Sequence, residues 1–304
     1  MTISKKILII GSDGLIGNAL KKHLIFQEKP VLGTTRHKNH LNKTTIFFDL
    51  FHSPQTWKIP INIDIAVICA GETRLMSCKN DPVGTYEINV TNTFELIKKL
   101  LSQNIFVIYL SSNQVFDGSQ AYAPIDSPYS PMTEYGRQKA EIEQRIMEMK
   151  QPFSIIRLTK VLSSKDNLIN NWKELLTKGK EINPFKDLYM SPIPLSIVLT
   201  VINIVIQQKI SGVLQISGNM DINYVDIARL CAKILNCNKR LIKPINSSKI
   251  KLEHIPKHTT LDIDKLQFLI GIRPPNVLWT TEMVITNPHV IDGCIGEKGF
   301  SAIK

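Results

Sequence analysis

Tyr135 and Lys139 stand four residues apart in the run Thr133-Glu134-Tyr135-Gly136-Arg137-Gln138-Lys139. On a helix that spacing puts both side chains on one face, with Cβ atoms about 5–6 Å apart. A phenol beside an ammonium suits proton donation to an oxygen that is gaining charge. Free tyrosine titrates near ~10, so bringing it toward neutrality takes about 3 units, or about 4 kcal/mol. One positive charge at about 4 Å supplies that much at an effective dielectric near 20. Lys139 is therefore expected to lower the Tyr135 pKa. Such pairs also occur by chance on solvated helix faces, so the surroundings decide.

The surroundings begin with a short apolar run, Lys5 to Ile10, of the length and β-branched content of a buried parallel strand. Gly11-Ser12-Asp13-Gly14-Leu15-Ile16-Gly17 follows at once, and then a helical pattern from Asn18 to Leu24. Strand, glycine turn and helix form the setting of a dinucleotide fingerprint, although the spacing is G-x-x-G-x-x-G. Its glycines let the backbone approach a pyrophosphate seated on the positive end of the helix. A plain glycine-containing loop is the competing reading. The second strand ends Thr34-Thr35-Arg36-His37-Lys38. An acid at this point would hold the ribose 2′-hydroxyl of NAD, whereas Arg36 suits a 2′-phosphate, so NADPH is expected and NADH remains possible. Asp49-Leu50 closes a third strand where an adenine edge could lie. Ile63 to Ile68 is a further strand ending in Ala70-Gly71, small residues that allow close approach of a ligand. Glu87 to Thr93 opens a helix that carries Asn89, and Ile105 to Leu110 delivers Ser111-Ser112 to the carboxyl end of the next strand. Ligands of open α/β sheets bind at those ends, so Ser112 is expected to meet Tyr135 there.

These stretches, with Ser111-Ser112-Asn113-Gln114-Val115-Phe116-Asp117-Gly118, Pro128 to Lys139, Arg157 to Val161 and Trp279, resemble the extended short-chain dehydrogenase/reductases. Within them the chain is most similar to the dTDP-4-dehydrorhamnose reductase branch, the sugar-nucleotide-binding reductases. The likeness runs from about residue 5 to 285. It implies catalytic roles for Ser112, Tyr135 and Lys139, with Lys139 holding the nicotinamide ribose. It implies cofactor contacts from Gly11, Asp13, Gly14, Leu15, Ile16, Gly17, Arg36, Asp49, Leu50, Ala70, Gly71 and Asn89, and substrate contacts from Thr73, Asn113, Gln114, Arg157 and Lys160. The branch usually reads Ser-Thr-Asp-Tyr-Val-Phe-Asp-Gly where this chain has Asn113 and Gln114 in place of the acid and the aromatic. Those amides disfavour a dehydratase, which needs an acid/base pair here, and leave the sugar open.

The alternation of strand and helix over residues 1–158 predicts an α/β fold, a doubly wound parallel sheet of Rossmann type. A smaller C-terminal substrate lobe is expected over 159–285, returning to the sheet within 195–218 near Gly212-Val213-Leu214, with a loose tail over 286–304. Trp172 is a candidate for the pocket or for packing.

The net charge of +11 is scattered rather than gathered with aromatics, which argues against nucleic acid. Leu195 to Ile206 is too short to span a bilayer, and the early first strand leaves no room for a leader. Five dispersed cysteines, Cys69, Cys78, Cys231, Cys237 and Cys294, read as reduced cytoplasmic thiols, and no metal site is expected at His254 and His258, which flank Pro256. The expected function is NADPH-dependent reduction of a nucleotide-linked 4-keto-6-deoxy sugar in surface polysaccharide precursor synthesis, with a homodimer possible. The alternatives are a non-catalytic NADP-binding subunit resembling the regulatory subunit of methionine adenosyltransferase, and a 4-epimerase with retained NAD.

Overall fold

Strand β1 (Lys6–Ile10) is apolar and buried from Ile7 to Ile10, the pattern of a strand covered on both faces. It pairs in parallel with β2 (Val31–Thr35) on one side and β4 (Ile63–Ile68) on the other. Parallel pairing continues from β2 to β3 (Thr45–Phe47) and from β4 to β5 (Phe106–Ser112). With β6 (Phe153–Leu158) and the strand Gly212–Ile216 these form one seven-stranded sheet, ordered Gly212–Ile216, β6, β5, β4, β1, β2, β3. This is the doubly wound Rossmann-like order. The chain reverses direction of travel between β1 and β4, and a crevice opens at their carboxyl ends.

The computed structural model describes residues 5–249 and 252–293. They divide into two compact units, the first comprising residues 5–115, Tyr129–Arg157 and Ile202–Leu214 and the second the remainder. The division does not fall simply at residue 158: residues 116–128 go with the second unit, and 202–214 go with the first.

In the first unit α1 (Leu15–Phe26) buries Gly17, Leu20 and Leu24. After α2 (Leu75–Asn80), Asp81 caps α3 (Pro82–Tyr86) by accepting the Gly84 amide at 2.9 Å. The helix expected to begin at Glu87 thus starts earlier. It passes through a π-helical turn, Glu87–Asn92, before α4 (Thr93–Leu101). Such turns often mark functional positions, and this one carries Asn89. Helix α5 (Glu134–Glu148) holds Tyr135 and Lys139. Leu8, Ile68, Leu96, Ile97, Val107, Tyr109, Ile142 and Ile155 form the core between sheet and helices. At about 1.5–3 kcal/mol per fully buried large apolar side chain, this core fixes where the strand ends lie.

The second unit contains α6 (Asn167–Thr177), the first half of α7 (Leu195–Gln208), α8 (Tyr224–Ile234), α9 (Asp264–Ile270), α10 (Val277–Thr286) and α11 (Pro288–Asp292). Trp172 is 5 % exposed and meets Tyr224 edge-on at 6.5 Å, so it is a core residue rather than a pocket wall. The loose tail expected from residue 286 is corrected in part. Helix α11 is formed, and the Asp292 carboxylate accepts the Ser164 amide at 2.8 Å as well as its hydroxyl. Residues 294–304, with Cys294, lie outside the described residues. Among the described residues no helix is long and apolar enough to cross a membrane.

Candidate active site

The glycine turn is tied to β2 by its own backbone. The Gly11 amide donates to Thr34 Oγ1 at 3.0 Å, and the Ser12 amide and hydroxyl both donate to the Thr34 carbonyl at 2.9 Å. Gly11 has φ +84°, and a Cβ at Gly17 would lie 2.3 Å from the Gly11 carbonyl oxygen. The helix can approach the strand this closely only because neither residue has a side chain. Gly14 caps α1 without any side-chain hydrogen bond, and the first turn carries no acid. The amides of that turn have no side-chain acceptor, and Gly11, Asp13 and Gly14 just before them line a cleft of ≈ 360 Å³.

Gly11, Asp13, Gly14, Arg36, Asp49, Leu50, Ala70 and Gly71 all line this cleft. Leu15, Ile16 and Gly17 form the turn behind it and are not part of its lining. Sequence reasoning missed Thr34, Thr35, His37, Phe48, Cys69, Glu72 and Ile88, which also line it. The hydroxyls ending β2 were the readable signal, since a strand end facing a glycine turn needs donors and acceptors of its own. Glu72 had no such signal. It is placed by Asn89, which is buried behind the cleft. The Asn89 Oδ1 accepts the Glu72 amide at 2.8 Å, and its Nδ2 donates to the Glu72 carbonyl at 2.9 Å and to Gln138 Oε1 at 2.8 Å. Both ends of the amide are engaged, so Asn89 shapes the wall at Gly71-Glu72 instead of offering its side chain to a ligand.

Ser112, Tyr135 and Lys139 come together at the end of β5. Thr133 caps α5, accepting the Gly136 amide at 3.0 Å and donating to Gln114 Oε1 at 3.3 Å. The short turn after β5 and the start of the tyrosine helix are thus pinned together. The Ser112 hydroxyl accepts the Gln114 amide at 3.2 Å and donates to Asn113 Oδ1 at 3.3 Å, and its polarity acts on the Tyr135 phenol. Lys139 Nζ lies 5.8 Å from the Tyr135 ring centre. It donates to Tyr109 Oη and to the Leu110 carbonyl, each at 2.9 Å.

This geometry corrects the expected electrostatics. Burial pushes the Tyr135 phenol above its ordinary range, with Ser112 opposing. The ammonium faces Tyr109 and Leu110, so it does not pull Tyr135 toward neutrality. Burial instead lowers Lys139 itself to about 8, against the opposing charge of Glu143. Tyr135 is therefore a neutral phenol, a donor and not a phenolate base. Burial pushes the nearby Cys69 thiol up to about 12, so it is protonated and unreactive.

Arg157, expected at the substrate, is only 2 % exposed and pairs with the fully buried Glu143 at 2.7 Å. Tyr129 Oη donates to Glu143 Oε2 at 2.9 Å, and the guanidinium lies 5.4 Å from the Tyr129 ring centre. An arginine so enclosed braces α5 against β6 and is not available to a sugar. Thr73 is exposed, and Asn113 and Gln114 are half-buried beside Ser112. Lys160 belongs to the second unit, about half exposed and 3.4 Å from Asp166. His254 and His258 face the Asp117 carbonyl at 2.6 Å and Asp221 at 3.1 Å respectively.

The beta subunit of methionine adenosyltransferase 2 from Rattus norvegicus is 26% identical over 292 residues, covering 90% of this chain and 85% of that protein. The dTDP-4-keto-6-deoxy-D-glucose reductase of Streptomyces niveus is 23% identical over 287 residues, covering 92% and 96%. The crystal structure of dTDP-4-dehydrorhamnose reductase from Bacillus anthracis, in complex with NADP, has a TM-score of 0.79 to this fold at 18% identity. That likeness covers 93% of this chain and 98% of the other. The family described as RmlD substrate binding domain matches residues 5–287. A match over nearly the whole length settles the family: this chain belongs to the RmlD substrate-binding domain family.

Proposed function

We propose that the protein is an NADPH-dependent reductase of a nucleotide-linked 4-keto-6-deoxy sugar, acting in the cytoplasm in the synthesis of surface polysaccharide precursors. The observation that carries this reading is a buried, neutral Tyr135 with Lys139 beside it on α5 and Ser112 at the end of β5, in the same unit as an uncapped glycine turn. The uncapped amides of α1 suit a pyrophosphate, Gly11, Gly14 and Ala70 line the cleft it would enter, and Arg36 suits a 2′-phosphate. When bound, the reduced nicotinamide supplies the hydride to the carbonyl carbon.

The chain supplies the rest. Ser112 holds the carbonyl oxygen, and Tyr135 gives that oxygen its proton as the C=O electron pair collapses onto it. An alkoxide is more basic even than a phenol raised by burial, so the transfer runs downhill. Protonated Lys139, 5.8 Å from the Tyr135 ring centre and bonded to Tyr109 and Leu110, adds only weakly to the stabilisation of the charge left on the phenolate. Such acid catalysis contributes about 10²–10⁴-fold, with positioning adding more. Thr73, Asn113 and Gln114, all in the first unit, are the candidates for the sugar nucleotide, and the two amides favour hydrogen bonding to hydroxyls over charge pairing.

A second reading is favoured by the likeness to the methionine adenosyltransferase subunit: a binding module that holds NADP without turnover. Purified protein mixed with NADPH and a panel of nucleoside-diphosphate keto sugars separates the two. Substrate-dependent loss of NADPH absorbance is expected. Binding without oxidation across the panel supports the module, and tightly retained NAD without net oxidation supports a 4-epimerase.

A further inference from the structure

The end of β2 lacks an acid in sequence, but the fold brings one there. Asp13, in the glycine turn, accepts the Thr35 hydroxyl on Oδ2 and faces His40 Nδ1 across 3.4 Å from Oδ1. Thr35 is the last residue of β2, and its Oγ1 also accepts the His37 amide at 2.9 Å. The carboxylate is thereby held beside Thr35, Arg36 and His37, all of which line the same cleft. A second carboxylate, that of Glu72, lines the same cleft. Glu72 is held by Arg74 at 2.8 Å, and the positive charge of Arg36 also favours its ionised form.

We propose that Asp13 is a cofactor-specificity residue: it supplies from the glycine turn the acid that β2 lacks, opposes Arg36, and lets the cleft take the unphosphorylated ribose of NADH alongside NADPH. This deepens the dinucleotide reading given above and rests on it. A ribose hydroxyl donates to a carboxylate, and Thr35 uses only part of the acceptor capacity of Asp13. A 2′-phosphate, carrying about two negative charges near neutrality, is repelled by that carboxylate while it is attracted by Arg36. Lys21, drawn to Asp13 electrostatically, moderates the repulsion without removing it. At roughly 6 Å in water, one charge acting on such a phosphate changes affinity about tenfold.

The test is calorimetric titration of the full chain with NADP+ and with NAD+, for the wild type, Asp13→Asn and Arg36→Ala. The side-chain amide introduced by D13N keeps a carbonyl for the Thr35 hydroxyl, so the turn stays tied. The wild type is expected to bind the two within about tenfold of each other, D13N to raise the NADP+ preference about tenfold and R36A to lower it by a similar factor. A D13N ratio within twofold of wild type overturns the proposal, as does a wild-type preference beyond about a thousandfold. If D13N fails to fold, wild type titrated with 2′,5′-ADP against 5′-AMP decides on the same thresholds. Absence of binding by either dinucleotide to the wild type overturns the cleft reading itself, a separate and recognisable failure.

Discussion

The glycine turn and the Tyr135 helix lie in one unit and are built from different materials. The turn works through backbone: amides without side-chain acceptors, a positive φ at Gly11 and a contact at Gly17 that tolerates no Cβ. The helix works through buried side chains, each held by others. Tyr135 leans on Ser112, Lys139 on Tyr109 and Leu110, and Arg157 on Glu143 and Tyr129. A backbone-built site presents its dipoles whatever the pH. A site built from buried ionisable groups depends on which of them hold a proton.

The sharpest way to separate the two regions is Tyr135→Phe. Turnover should fall about 10²–10⁴-fold while NADPH affinity stays within about twofold. A variant keeping a tenth of the activity would remove the phenol from the mechanism. Glu143→Ala should come next, costing about 3–5 kcal/mol in urea unfolding, because Arg157 is left charged and buried. If Arg157 instead served the substrate, the loss would show in KM with stability preserved. Gly17→Ala should cost about 1–3 kcal/mol and weaken cofactor binding, since helix and strand must separate. Unchanged affinity would mean that the close contact is not needed by the ligand.

The smallest effect is on pH dependence. Lys139 titrates at about 8 when folded, below the ordinary lysine range, so kcat/KM should decline as pH rises through that value. Over the same window the unfolded chain binds more protons than the folded one, and the Lys139 contribution to stability grows with pH up to the ordinary lysine value near ~10.4. Activity that stays flat across this range would contradict the buried placement.

Several of these expectations were legible before any coordinates, and the reason is locality. The run Lys5 to Ile10, the three glycines after it and the Tyr135–Lys139 spacing each state a period or a turn requirement within a few residues. Strand, helix and the doubly wound order follow from such local patterns. By itself the sequence determined the family, the architecture and the chemistry-bearing types Ser112, Tyr135 and Lys139. Arg157 was misread because its partner Glu143 lies on another element, and burial removes the guanidinium from any pocket. Asn89 was placed at the cofactor for want of its links to Glu72 and Gln138. Only the tertiary structure decided that Lys139 faces Tyr109, that Asp13 reaches Thr35, and that Asp292 ties a short helix to Ser164. Each of those facts is a pairing between distant segments, set by which groups lose water together when the elements pack, and desolvation of that kind leaves no local trace in a chain.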